Sequence, residues 1–230
     1  MTKTFACHAI RAFALGAAIV AAPMAAQAAL SLTIPTNALQ ANAVQAFSQD
    51  ALDSFELVGI TVKPLGNATA MPNVPGAYNL PVTSISLQLV KIAGGASTGS
   101  VLEFNRVNED TGQPKRVTLA NFRIDFIAKK VLADATQSGK PTVNKTPIFD
   151  FHEQTPLTLK YRFPLSITAK QVLDKLFLTP ESKKLFKDGL ELPEIVDEVL
   201  NVVDFGTITI DVAVKLRSKP VSNRPYVVAH

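Results

Sequence analysis

The chain has 230 residues, 23 Lys+Arg against 19 Asp+Glu, one cysteine and no tryptophan. A formal charge of +4 without a basic stripe argues against a dedicated nucleic-acid binder, and a single cysteine excludes an internal disulfide framework or a Cys-rich metal site. The length is ample for one hydrophobic core, since burial of roughly 70% of the unfolded surface is typical near this size.

The first segment reads as a secretory signal peptide. Lys3, His8 and Arg11 form a basic head, and an apolar run from Ala12 to Ala22 follows. That run is short beside the ~20 residues a membrane helix needs. Ala26-Gln27-Ala28 is a small-residue cleavage site, so the mature chain is expected to begin at Ala29. Loss of Lys3 and Arg11 leaves 21 basic against 19 acidic residues, a net charge of +2. Cys7 leaves as well, so the mature chain is cysteine-free and stands on its core alone. No later apolar stretch reaches spanning length, and the expected address is periplasmic or secreted.

Leu30 to Ile34 alternates as a first short strand, ended by Pro35. Residues 38–52 are Ala/Gln-rich, and their periodicity fits a helix or an irregular crossing segment. Phe55 to Lys63 reads as a strand, with Gly59 suggesting a bulge. Pro64 to Pro81 is dominated by turn chemistry and forms a long loop, a natural place for binding residues. Val82 to Lys91 alternates, Gly94 to Ser100 reads as a flexible hairpin loop, and Val101 to Val107 returns as a strand. A tight turn at 108–112 then leads into Arg116 to Lys130, where Leu119, Phe122, Ile124 and Phe126 promise a buried face. This stretch has an ungapped echo: residues 52–69 align on 119–136 with identities that include Leu52/Leu119, Phe55/Phe122 and Lys63/Lys130. Two related β units and two strand–turn segments of similar composition explain it equally well.

Val131 to Ala135 continues as β structure, and residues 137–147 as a polar loop. Leu157, Leu159, Tyr161, Phe163 and Leu165 alternate as an amphipathic strand. The texture then turns helical. Thr168 and Gln171 match a capping box, and Ala169, Val172, Leu173, Leu176 and Phe177 fall on one helical stripe. Thr179-Pro180 opens a second helix that Gly189 is expected to stop, and Pro193 to Val203 has helical spacing. Ile208 to Leu216 is the closing strand, followed by a tail expected to fray.

Few motifs carry chemistry. Gly95-Ala96-Ser97-Thr98-Gly99 matches G-x-S-x-G, but a nucleophile elbow needs a helix after it, and Val101 to Phe104 reads as strand. His152, the one interior histidine, stands beside Asp150, yet one histidine without a second or a cysteine is a poor metal site. Tyr161 shares its strand face with apolar neighbours, where core packing competes with ligand contact. Tyr78 ends the Pro/Gly loop and is the better phenol for a ligand. The candidate ligand-binding residues are therefore Tyr78, His152 and Tyr161, with no catalytic and no metal-ligating residue and no cofactor assigned.

The run Val117-Thr118-Leu119-Ala120-Asn121-Phe122-Arg123-Ile124 leading to Val131-Leu132-Ala133-Asp134, the Leu165-Ser166-Ile167-Thr168 segment before Leu176, and the Phe205-Gly206-Thr207-Ile208 strand start together resemble the HtaA-type domain of bacterial exported proteins. The resemblance implies a β-rich domain, and in some members haem held by a tyrosine and a histidine. In those members the tyrosine lies in an aromatic N-terminal segment, whereas residues 38–57 here carry no tyrosine and no tryptophan.

The sequence thus implies a signal peptide over 1–28, a single mainly-β domain over 29–217 and a C-terminal tail over 218–230. The architecture expected is a β-sandwich or barrel-like set of antiparallel sheets with a small helical insertion near residues 168–203. The function expected is that of an exported, non-enzymatic protein that binds a small hydrophobic ligand or serves the envelope as an accessory protein. Its pocket is expected near Tyr78 or His152. The alternative is a structural or adhesive surface protein that self-associates as an oligomer along a strand edge.

Overall fold

The computed structural model describes residues 31–88, 91–162 and 166–228, with the side chains of Ser31, Lys91, Val214, 156–162 and 166–167 set apart from that description. The signal-peptide expectation lies outside these residues. Among the described residues twelve strands and three helices follow one another: β1 Ser31–Pro35, β2 Leu39–Ala46, α1 Gln49–Leu57, β3 Thr61–Gly66, β4 Thr69–Ala70, β5 Ala77–Pro81, β6 Ser84–Gln88, β7 Lys91–Val107, β8 Pro114–Asp125, β9 Lys130–Gln137, β10 Val143–Arg162, β11 Ser166–Leu178, α2 Pro180–Leu190, α3 Val196–Val202 and β12 Thr207–Leu216.

The strands form one antiparallel sheet in the order β1-β6-β7-β8-β9-β10-β11-β12-β2-β5-β4, with β3 also on β7. The sheet nearly closes on itself. Residues 77–88 pair with β2 through their first half and with β7 through their second. At the crossover, Val82 N–H donates to Ala41 O of β2 at 2.9 Å, and Thr83 N–H donates to Ala96 O of β7 at 2.7 Å. Two consecutive amides thus stitch the two sides of the seam. The architecture is the barrel-like one of the two expected, and curling of this kind covers most of the strand edge that an open sheet would expose.

The interior divides into two levels. At one end Phe47, Phe55, Phe104, Phe186 and Phe205 make an aromatic cluster, with Phe55 and Phe186 supplied by α1 and α2. Ring centroids lie 5.2 Å apart for Phe47–Phe55 and 4.9 Å for Phe104–Phe186, both edge-on, the arrangement aromatic quadrupoles favour. At the other end the inward side chains are chiefly aliphatic, with Phe122 and Phe126 among them, and leave a cavity between them.

Several local expectations change. Residues 166–178 form β11 and not a helix. Lys175 takes φ 52°, and β11 gains one residue over β10 between the pairs Asp150↔Phe177 and His152↔Asp174. This bulge flips the inward parity after Leu173 to Leu176 and Leu178, so a bulged strand copies a helical three-residue step. The helical insertion therefore spans α2 and α3 only. Residues 39–46 are also strand, because their inward positions, Ala41, Ala43 and Gln45, are small or polar and give little apolar alternation. Helix α1 replaces the start of the strand expected from Phe55. Ser48 caps it by accepting from Ala51 N–H at 3.0 Å, and Gly59 (φ 68°) ends it. Ile60 N–H bonds Phe55 O at 2.7 Å and Gly59 N–H bonds Glu56 O at 3.1 Å, a Schellman closure. The sequence echo is thus not a shared element: Leu52 to Phe55 is helix and Leu119 to Phe122 is strand.

Residues 94–100 run within β7 and are not a loop. Helix α2 does start at Pro180, with the Thr179 side chain accepting from Ser182 N–H at 3.2 Å, but it passes Gly189 and stops at Glu191 in the left-handed region. Leu216 is exposed, past a register shift in β12. The tail is pinned, not frayed: Val221 N–H donates to Asn37 O at 3.0 Å, and Asn67 Nδ2 donates to Ser222 O at 2.7 Å.

Candidate ligand-binding cavity

Inward-facing residues at the end away from the phenylalanine cluster enclose a cavity of about 1170 Å³. Cross-strand register builds its lower ring. Gln171 of β11 pairs with Ile210 of β12, Ile210 with Ala43 of β2, and Ala43 with Leu80 of β5. Ser97 of β7 and Phe122 of β8 are paired on the opposite wall. Above that ring stand Ile85, Gly95 and Ile124, again in register. Exposed Ile127 and Ile34 lie among the lining residues where the cavity meets solvent. Volume is gained where side chains are smallest. Gly94 and Gly95 contribute none, and a Cβ on Gly94 would stand 2.5 Å from Ile124 O, so glycine there also permits the close approach of β7 to β8.

The walls are mainly apolar, and four of the five polar side chains among them are tied into hydrogen bonds, Gln88 of β6 being the fifth. Thr36 Oγ1 donates to Val82 O at 2.9 Å, and Ser97 Oγ donates to Leu80 O at 3.3 Å. Both hydroxyls therefore serve the sheet seam. Gln171 is 3% exposed, and its Nε2 donates to Glu153 Oε2 at 3.0 Å. Glu153 reaches the cavity because Phe149, Phe151 and Glu153 share the inward face of β10.

The G-x-S-x-G motif has no nucleophile geometry. Ser97 is buried within a continuous strand, and its hydroxyl is spent on a backbone carbonyl. The residues named from sequence fall elsewhere. Tyr78 of β5 is half-buried, sets its ring edge-on to Phe47 at 6.0 Å and donates its hydroxyl to Val62 O at 3.2 Å. Burial pushes its phenol up from the usual value of 10.0. It lines a separate cleft of about 360 Å³ with Leu52, Phe55 and Ile60. His152 is exposed on the outer face of β10, its Nδ1 2.8 Å from Asp174 Oδ1. The side chain of Tyr161 lies outside the described residues. Neither Tyr78 nor His152 lines the large cavity, and the structure does not bring the two together there. Sequence reasoning passed over Glu153 and Gln171. The signal was available as two phenylalanines and a glutamate at alternate positions, 149, 151 and 153, beside a glutamine between Ala169 and Leu173.

Haem does not fit this cavity as the described residues build it. None of the lining side chains is a histidine, tyrosine, methionine or cysteine, the residue types that ligate haem iron. Among the described residues no group of three or more His, Cys, Asp or Glu could hold a metal ion, and no helix is long and apolar enough to cross a membrane.

The fold and cavity together define a barrel-like antiparallel β protein with one large apolar chamber. No family model and no curated protein matches the chain. Among solved structures it is similar to the C-terminal domain of HtaA from Corynebacterium glutamicum, at 11% identity over 76% of this chain and 97% of that one, with a TM-score of 0.49. It is also similar to the heme binding protein HtaB from Corynebacterium glutamicum, at 9% identity over 80% of this chain and 97% of that one, with a TM-score of 0.45.

Proposed function

We propose that this is an exported, non-enzymatic protein that holds a small apolar ligand in the chamber between β1, β2 and β5–β12. The observation that carries the reading is the chamber itself, about 1170 Å³ lined chiefly by aliphatic and phenyl groups. Ligand sites of ~300–1000 Å³ with few polar groups are the common form, and packed interiors hold few voids larger than a water molecule. Export rests on the basic head, short apolar run and A-x-A site of residues 1–28. Native mass spectrometry of the protein recovered after expression with residues 1–28 tests both parts. The expected mass begins at Ala29, and Nile red, a neutral apolar probe, titrates to one per chain. Retention of residues 1–28 overturns export, and absence of saturable probe binding overturns the ligand reading.

A second reading is favoured by one edge. Strand β1 has no charged residue, bonds only β6 among the described residues, and leaves Leu32 60% exposed. Such an edge invites pairing with another copy. An oligomer that dissociates on Leu32→Lys in size-exclusion chromatography supports it, and a monomer at all concentrations removes it.

A further inference from the structure

We infer that the chamber selects a lipophilic amine, a ligand with an apolar body and one cationic nitrogen head held by Glu153; the inference rests on the chamber reading above. Among the described lining residues Glu153 is the one with a formal charge, and every hydroxyl named above is already committed to the seam. A carboxylate offers only acceptors. A ligand that meets it must therefore bring donors.

The carboxylate is held in place for that task. Gln171, itself 3% exposed, donates to one of its oxygens at 3.0 Å. Ala169 and Leu173 flank Gln171 on the inward face of β11, and Ile210 faces it across β12. A glutamine in such a ring loses hydration on folding, a cost that its bond to Glu153 offsets. The result is one oriented anion against an apolar wall, where screening by water is weaker than in bulk.

That arrangement discriminates by charge. An ammonium head gains a charge-assisted hydrogen bond to Glu153. An alcohol of the same chain length gains only a neutral donor's bond. A fatty carboxylate brings a second negative charge beside the first and is disfavoured.

The test is isothermal titration of the full protein at pH 7 with decylamine, decanol and decanoate, each below its micelle concentration. In the wild type decylamine is expected to bind about tenfold tighter than decanol, the size of one charge-assisted bond, with decanoate the weakest. Glu153→Gln, which keeps the shape and an acceptor oxygen, is expected to bring the amine down to the level of the alcohol. Decanoate binding as tightly as decylamine overturns the inference, and so does an amine advantage that survives Glu153→Gln. The wild-type ranking stands by itself if that variant fails to fold. If Nile red and decanol bind but the amine has no advantage, only the amine selection falls. If none of them binds, the chamber reading falls and takes this inference with it.

Discussion

Asn121 pairs with Tyr226 as one strand residue pairs with another: its Oδ1 accepts from Tyr226 N–H at 2.8 Å and its Nδ2 donates to Tyr226 O at 3.0 Å. The same carboxamide accepts from Gly99 N–H at 3.0 Å and donates to Asp134 Oδ2 at 2.9 Å, so all four of its hydrogen-bonding positions are used. Asn121 sits at φ 54° where β8 bulges against β9, beside the bulge of β7 that contains Gly99. Asparagine tolerates that left-handed backbone better than most residues. One side chain thus joins two strands to the C-terminal tail.

Replacing Asn121 by alanine should cost about 3 kcal/mol, from orphaned polar groups and left-handed strain. Urea denaturation measures the loss. Limited proteolysis should at the same time release residues beyond 220 faster than in the wild type. Asn121→Gly keeps the backbone relaxed but not the bonds, so it should release the tail at a smaller cost in stability. Unchanged tail protection in both variants would show that Asn37 and Asn67 hold the tail without Asn121.

The neighbouring carboxylate makes part of the stability depend on acid. Burial alone would raise the Asp134 carboxyl, but hydrogen bonds from Arg123 Nη1 at 2.9 Å, Lys145 N–H at 3.0 Å and Asn121 Nδ2, with the charge of Arg123, outweigh it and hold the group below its usual 3.8. A carboxyl depressed in the folded state contributes stability that is complete above its unfolded value and is lost as pH falls through the folded one. The gap in unfolding free energy between wild type and Asp134→Asn should therefore be constant from pH 7 to about 5 and narrow below about pH 4. Denaturation curves at pH 7, 5, 3 and 2 measure it. A gap that stays constant to pH 2 removes this account of Asp134.

How much of this was legible depends on parity. Where a strand keeps period two without interruption, the pattern is readable. The 101–107/116–127 hairpin forms as expected, with Leu102 opposite Leu119 and Phe104 opposite Val117, and Ile208 and Ile210 are buried on β12. Where a bulge shifts parity, the pattern misleads. Leu173 and Leu176 are three apart and both fully buried, which is helical spacing produced by one left-handed lysine. The chamber was hidden for a related reason. Its lining is ordinary core chemistry, and nothing in Ile124 or Val212 states whether a side chain meets another or a void. That depends on distances across a curled sheet, and these follow from closure at Val82 and Thr83 rather than from local composition.

Phe104 is the centre of the packed end. It is 2% exposed, with ring centroids 4.9 Å from Phe186, 5.9 Å from Phe55 and 6.3 Å from Phe47. Phe104→Ala should cost about 3–5 kcal/mol. Phe104→Leu keeps much of the buried area and should lose mainly the edge-on ring contacts, about 0.5–1.5 kcal/mol for each pair. Because Phe55 and Phe186 tie α1 and α2 to this ring, amide exchange in both helices should quicken together in the alanine variant. Faster exchange in one helix alone would mean that they are held independently.

The chamber gives the opposite sign. Ala169 is 7% exposed and faces into it from β11, in register with Val212. A larger side chain there enters unfilled space, whereas in a packed core it would force strain. Ala169→Phe should leave stability unchanged or raise it by about 0.5–2 kcal/mol, as cavity filling commonly does, while Nile red capacity falls sharply. Lys170→Ala, on the outer face of the same strand, should leave probe binding as it was. Thermal melts and probe titrations on the two variants separate the cases. A strongly destabilised Ala169→Phe would mean that the walls already touch and the chamber is not there, since only open volume lets an added ring be accommodated without cost.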